Sequence, residues 1–127
     1  MILGLGTDLV AIARVEELLS RHGERFLSRV FTPTEQAECL RRARPAIHLA
    51  ARLAAKEAAM KALGTGWSLG VRWLDVEVHS TGDTPPSLHL DGVAKTRADA
   101  RGIRQTLLSL SHDGGYALAV VMATDGR

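Results

Sequence analysis

Three short clusters carry the side chains with the widest chemical reach: Gly6-Thr7-Asp8 near the start, residues 52–61 in the middle, and residues 109–113 near the end. Asp8 sits in an aliphatic run, where a carboxylate needs a charged partner, a metal ion or a strand end close to water. Glu57 and Lys61 are four residues apart, the spacing that places an acid and a base on one face of a helix. A solvated ion pair worth roughly a few tenths of a kcal/mol explains that spacing equally well. His112 and Asp113 lead into Gly114-Gly115, and an Asp-Gly pair is first of all hairpin-turn chemistry. Gly4 and Gly6 share a strand face with Asp8, and glycines within a strand mark close approach by a ligand or another backbone.

These clusters must be positioned by regular elements, and the sequence pattern supplies them. Residues 1–10 form a strand with Gly4, Gly6 and Asp8 on one face and Leu3, Leu5 and Leu9 roughly on the other. Residues 12–22 are helical, with Ile12, Val15 and Leu19 as the buried stripe; Gly23 ends or kinks that helix, and residues 24–31 continue as a second short one. Thr32-Pro33-Thr34-Glu35 is a helix start with the makings of a capping box, and the charged residues 41–44 interrupt that helix. Pro45 opens the clearest helix, residues 46–63, closed by Gly64 as a left-handed cap. Eight of its first seventeen residues are alanine, so it can lie close to a sheet. Residues 73–79 alternate as a strand, with Leu74, Val76 and Val78 opposite Asp75, Glu77 and His79. Residues 81–86 turn, 87–90 form a strand, and Asp91 caps a helix that runs to about Arg101 before Gly102. Two final strands, 103–111 and 116–123, flank the turn at residues 112–115. The order β-α-α-α-β-β-α-β-β, with tight turns between neighbouring strands, predicts a single α+β domain over residues 1–127: an antiparallel sheet with helices packed on one side.

Composition narrows the function. The 127 residues are 46% apolar and 24% charged, the balance of a globular protein. The longest apolar run, residues 116–123, is too short for a bilayer, and Asp8 interrupts the N-terminal run, so neither a membrane span nor a secretory signal is expected. Cys39 is alone, which excludes an internal disulfide and a thiolate zinc cage. A net charge of +2 and 4% aromatic residues are too little for a dedicated nucleic-acid binder. His22, His48, His79 and His89 share no spacing with carboxylates that would suit a metal. A cytoplasmic protein fits these limits.

Taken together, GTDLV, RLAAKEAAMKALGTG and SLSHD resemble the motifs of the holo-[acyl-carrier-protein] synthases, the small 4′-phosphopantetheinyl transferases of fatty-acid synthesis. The resemblance spans essentially the whole chain in length, element order and spacing. Leu53 departs from it, standing where the family usually has an aromatic residue, and the turn at residues 82–86 is about one residue longer than usual.

The resemblance implies transfer of the phosphopantetheine arm of coenzyme A to a serine of apo acyl carrier protein, with adenosine 3′,5′-bisphosphate as the other product. On this reading Asp8 and Glu57 are the oxygen ligands of one Mg²⁺, and Lys61 acts on the same phosphates as a point charge or proton donor. Arg52, Lys56 and His112 are candidates for the coenzyme A phosphates, and Gly64 and Gly66 offer backbone amides to phosphate. The serine's base is either Glu57, through a metal-bound water, or Asp113 with His112. Homotrimers with sites shared between subunits are implied as well.

The partner would be addressed by the first helix. At 100° per residue, Arg14, Leu18, Arg21 and Arg25 fall in a narrow arc if the helix continues past Gly23, with Phe26 nearby, a docking face for an acidic helix. A solvated face offset by Glu16, Glu17 and Glu24 accounts for the same pattern. The competing reading of the whole chain is a non-catalytic module that binds an acidic protein through these arginines. It leaves Asp8 and the Glu57–Lys61 face without a purpose.

Overall fold

The two glycines of β1 (Ile2–Ala11) explain the architecture, because α4 (Pro45–Leu63) lies directly on them. A Cβ on Gly4 would overlap the carbonyl of Ala62, and one on Gly6 the carbonyl of Ala58. The strand glycines therefore serve an approach of backbone to backbone, which the alanine face of α4 permits. In this computed structural model, which describes residues 1–66 and 69–127, β1 pairs antiparallel with β5 (Tyr116–Thr124), and β5 pairs with β4 (Gln105–Asp113), giving the order β1-β5-β4. The inner face carries Gly6, Val10, Ala117, Ala119, Val121 and Ala123, all buried against α4. Helices cover this one face. The expected α+β class and the one-sided packing are both present.

Between β1 and α4 stand α1 (Ile12–His22), α2 (Glu24–Val30) and α3 (Pro33–Leu40). Four helices thus separate the first two strands, one more than the expected order contains, because the Gly23 break makes two helices of one stretch. Gly23 has φ +48°, a conformation that glycine tolerates and that stops α1. Ile12 and Val15 are buried as the stripe requires, with Leu19 packed at the core's edge. The capping box at Thr32 is formed: Glu35 N donates to Thr32 Oγ1 at 3.2 Å, and Thr32 N donates to Glu35 Oε1 at 2.9 Å.

The rest of the chain departs from the sequence reading in two ways. Residues 73–75 form a single 3₁₀ turn rather than the start of a strand, so β2 is only Val76–His79. Asp75 is consequently buried, accepting from Arg72 N at 3.0 Å, instead of lying in a strand on the face of Glu77. Second, β2 and β3 (Ser87–Leu90) form their own two-stranded sheet instead of joining the main one. Cut to four residues each, by the 3₁₀ turn before β2 and by Pro85-Pro86 before β3, they pair only with each other. The helix α5 (Gly92–Ala100) begins at Asp91, whose side chain accepts from Gly92 N, and leads into β4.

The hairpin between β4 and β5 is also displaced. Asp113 pairs with Tyr116, so the turn residues are Gly114 and Gly115, at φ +57° and +85°. His112 and Asp113 are strand residues, not turn residues. Trp73 is buried, and Trp67 lies outside the described residues.

Candidate active site

Asp8 and Glu57 come together because α4 crosses β1 at glycine distance. Asp8 projects toward α4, one strand repeat beyond Gly6, and Glu57 lies on the turn of α4 next to the Gly6–Ala58 contact. Lys61, one turn on, donates from Nζ to Asp8 Oδ1 at 3.2 Å and to the Thr7 carbonyl at 2.9 Å. The other oxygen, Asp8 Oδ2, is buried and has no hydrogen-bond partner. Such an orphan is costly unless a proton or a cation meets it.

The charge of Glu57 reports the same crowding. Burial first, then the hydrogen bond and negative charge of Asp8, push the Glu57 carboxyl up to about 7, with Arg14 and Lys61 opposing the rise. A like charge and acceptor this close disfavours the ionised form of Glu57. Glu57 is therefore protonated in the folded chain at pH values where an unfolded glutamate is already ionised. Folding binds a proton there, so the contribution of this group to stability is fully present below the ordinary 4.5 and is lost as the pH rises through about 7. In metal-free buffer the melting temperature should fall over that interval, and Glu57→Gln should flatten the decline. A melting temperature that rises across the same range contradicts a strained carboxyl pair.

Beside this pair lies a cleft of about 170 Å³ lined by Glu57, Met60, Lys61 and Gly66. Gly64 closes α4 at φ +75° and accordingly caps the helix, while Gly66, at φ +54°, borders the cleft. Two hard oxygens on separate elements, one of them orphaned, suit a small divalent cation that keeps water or phosphate in its remaining positions. Among the described residues no third His, Cys, Asp or Glu completes a metal-binding group with them.

The other site residues expected from sequence separate into different places. Lys56 is not available to a phosphate. It is fully buried, with Nζ 2.8 Å from Glu35 Oε1, and the reason is rotational: one residue before Glu57 on the helix points about 100° away, into the core. Arg52 is also buried, and donates from Nη2 to Glu38 at 2.9 Å and to the Ser80 carbonyl at 3.0 Å. Its Nε has no hydrogen-bond partner. Burial first, then Arg42, Arg52 and His112, lower the pKa of His48, so these four basic groups surround one region at the start of α4. There a cavity of about 410 Å³ is lined by Arg44, Ile47, His112 and Asp113 among others.

His112 and Asp113 are not brought to Glu57 within one chain. His112 pairs with Ala117, which pairs with Val10, so it stands two strand spacings, about 10 Å, from β1. Consecutive strand residues face opposite ways. His112 shares the inner face with Ala117, while Asp113 shares the outer face with Tyr116, so Asp113 does not orient the imidazole.

The docking arc is corrected too. The break at Gly23 divides it: Arg21 pairs with Glu17 at 3.5 Å, and the charge of Arg14 is felt at Glu57. Leu18, Arg25 and Phe26 instead line a cavity of about 300 Å³ between α1 and α2, joined by His22 and Arg29. Phe26 forms its wall, mostly buried and edge-on to Phe31. Sequence reasoning missed Glu35, whose signal was only the capping box, and Arg29 and His22, which on an uninterrupted helix fall just beyond the edge of the arc.

The model of the 4′-phosphopantetheinyl transferase superfamily matches residues 4–121. The chain belongs to this superfamily. It is 52% identical over 125 residues to the holo-[acyl-carrier-protein] synthase of Anaeromyxobacter dehalogenans (strain 2CP-C), covering 96% of this chain and 95% of the relative. Among solved structures, the holo-[acyl-carrier-protein] synthase of Neisseria meningitidis superposes with a TM-score of 0.88 at 33% identity, over 98% of this chain and 99% of that one. The Helicobacter pylori holo-[acyl-carrier-protein] synthase, solved in complex with coenzyme A, superposes with a TM-score of 0.82 at 32% identity, over 94% and 99%. The 4′-phosphopantetheinyl transferase match takes in β1, α4 and the hairpin strands, and hence Asp8, Glu57, Lys61 and His112 alike.

Proposed function

We propose that this chain transfers the 4′-phosphopantetheine arm of coenzyme A to a serine of apo acyl carrier protein and releases adenosine 3′,5′-bisphosphate. The observation that carries the reading is the convergence of Asp8 and Glu57, with Lys61 beside them, in a chain of the 4′-phosphopantetheinyl transferase superfamily. The serine oxygen forms the new bond to the phosphorus that bears pantetheine, and the bond from that phosphorus to the bisphosphate breaks. Asp8 and Glu57 would hold a Mg²⁺ ion. When bound, it neutralises charge on the diphosphate.

The protein's own groups do the rest. Lys61 Nζ, already at the mouth of the cleft, sets positive charge against the departing phosphate. Within one chain Glu57 is the base at hand: a carboxylate oxygen of it takes the serine proton, while Asp113 stands outside the cleft. Arg52 and His112, with Arg44 and His48, form the basic region that receives nucleotide phosphate.

The distance between that region and the carboxylate pair supports a site completed by a second subunit. So does the outer sheet face, where Leu5 and Leu9 are 64% and 59% exposed and are joined by Leu107, Tyr116, Leu118 and Val120. A face this apolar calls for cover, and another copy of the chain, in a homotrimer, supplies it. Asp113 lies on that same face, at the edge where a neighbour would meet it. The proposed setting is the cytoplasm; no helix among the described residues is long and apolar enough to cross a membrane.

Acyl carrier protein, small and acidic, docks at the α1–α2 cavity with an apolar side chain between Leu18 and Phe26 and its acids on Arg25 and Arg29. Arg25→Glu should raise KM for the carrier protein about tenfold and leave KM for coenzyme A unchanged. An equal rise in both constants places Arg25 outside the docking surface. The whole reading is tested by mixing the protein with coenzyme A, Mg²⁺ and apo acyl carrier protein. The carrier should gain the mass of phosphopantetheine as the bisphosphate appears, and no gain with any divalent metal leaves the non-catalytic binding module in its place.

A further inference from the structure

Lys56 and Glu35 form a fully enclosed ion pair that the transfer chemistry does not use. Lys56 Nζ donates to Glu35 Oε1 at 2.8 Å, to the Trp73 carbonyl at 3.1 Å and to the Val76 carbonyl at 2.5 Å, exhausting its three protons. Glu35 also accepts from Thr32 N and, at Oε2, from Val78 N at 2.8 Å. One point thus ties α4 to α3, to the 3₁₀ turn and to β2.

The sheet contacts of α4 by themselves set its rotation weakly. They are mostly alanine against glycine and alanine, with Val10 and Val121 the larger exceptions, which brings backbones close but offers few protruding side chains to interlock, and the buried Leu49, Leu53, Met60 and Leu63 of α4 carry no directional bond. Side-chain tips on a helix stand about 5–6 Å from its axis, so a turn of about 20° carries the tip of Glu57 about 2 Å. Misplacement by about 1 Å costs a reaction of this kind on the order of 100-fold.

We propose that Lys56 and Glu35 are a positioning pair for the transfer reaction: they pin the rotation of α4 and so hold Glu57 against Asp8. In the Lys56-Glu57 dipeptide the inward lysine sets the register of the outward acid. This inference rests on the proposed role of the Asp8–Glu57 cleft in the transfer.

The test is the Glu35→Gln/Lys56→Met double variant, which removes both charges at nearly constant volume and so avoids leaving one buried charge unpaired. Circular dichroism and the melting curve establish that it folds. The expected result is a kcat reduced at least about tenfold and a KM for coenzyme A within about twofold of wild type. Mn²⁺ should also bind the protein–coenzyme A complex at least about fivefold more weakly by electron paramagnetic resonance. A folded double variant with unchanged kcat and Mn²⁺ affinity overturns the inference. So does a raised KM for coenzyme A at unchanged kcat, which makes Lys56 a phosphate ligand. If the double variant does not fold, Glu35→Asp, which keeps the charge and shortens its reach, is judged by the same measurements. A wild-type protein that transfers nothing overturns the functional reading, whereas an active wild type with an unaffected variant overturns only the positioning role.

Discussion

Glu57→Gln should lower turnover on the order of 100- to 1,000-fold and at the same time raise the melting temperature of the metal-free protein at about pH 8. The two effects have one cause. At that pH Glu57 is ionised against Asp8, whose Oδ2 is buried without a donor, and burial and like charge both oppose this state. The glutamine has the same shape, carries no charge, and its amide can donate to that orphaned oxygen, so the fold gains. Catalysis loses because the pair no longer offers two anionic oxygens to a cation, nor a base for the serine. A divalent ion should accordingly raise the melting temperature of the wild type and do little for the variant. Steady-state assays and calorimetry with and without Mg²⁺ decide it. A variant with near-normal rate would remove Glu57 from the machinery, and one that melts lower would mean the carboxyl pair is not strained.

The second large effect is expected at a position that touches no substrate. Gly6→Ala adds a single methyl group, but its Cβ would overlap the carbonyl of Ala58 and sit 2.9 Å from Ala62 N. Both are helix backbone and cannot rotate aside, so α4 must move off the sheet or β1 must bend. Overpacking of this kind costs about 3 kcal/mol or more. The displacement also draws Glu57 from Asp8, so the fraction that folds should still be on the order of 100-fold slower. Chemical denaturation gives the first number and the rate per folded molecule the second. A wild-type unfolding midpoint for Gly6→Ala would contradict the close approach on which the site's geometry depends.

Much of this arrangement is legible in the sequence, for reasons that can be named residue by residue. Thr32-Pro33 and Gly64 mark the ends of helices through local capping and backbone preference, and both act there. Gly4 and Gly6 announce a close approach, since a strand bears that cost only where something must come near. The stretch around residue 73 misleads because alternation survives across a 3₁₀ turn of three residues. Asp75 finds a buried partner in the backbone of Arg72 that no local pattern announces.

Local chemistry, acting over a turn or a few residues, was enough to determine the helix ends, the glycine-lined strand and the candidacy of Asp8, Glu57 and Lys61. What only the tertiary structure decided was direction and company: that Lys56 turns inward to Glu35 while Glu57 turns out to Asp8, that His112 and Asp113 face opposite sides of the sheet, and that Gly23 divides the arginine arc and leaves Leu18, Arg25 and Phe26 around a cavity. These outcomes depend on how a helix rotates against a sheet and on where a strand's register begins. Both are set by contacts between segments 21 to 111 residues apart, from Lys56–Glu35 to the pairing of Asp8 with Ala119, and no neighbouring residue in the chain encodes them.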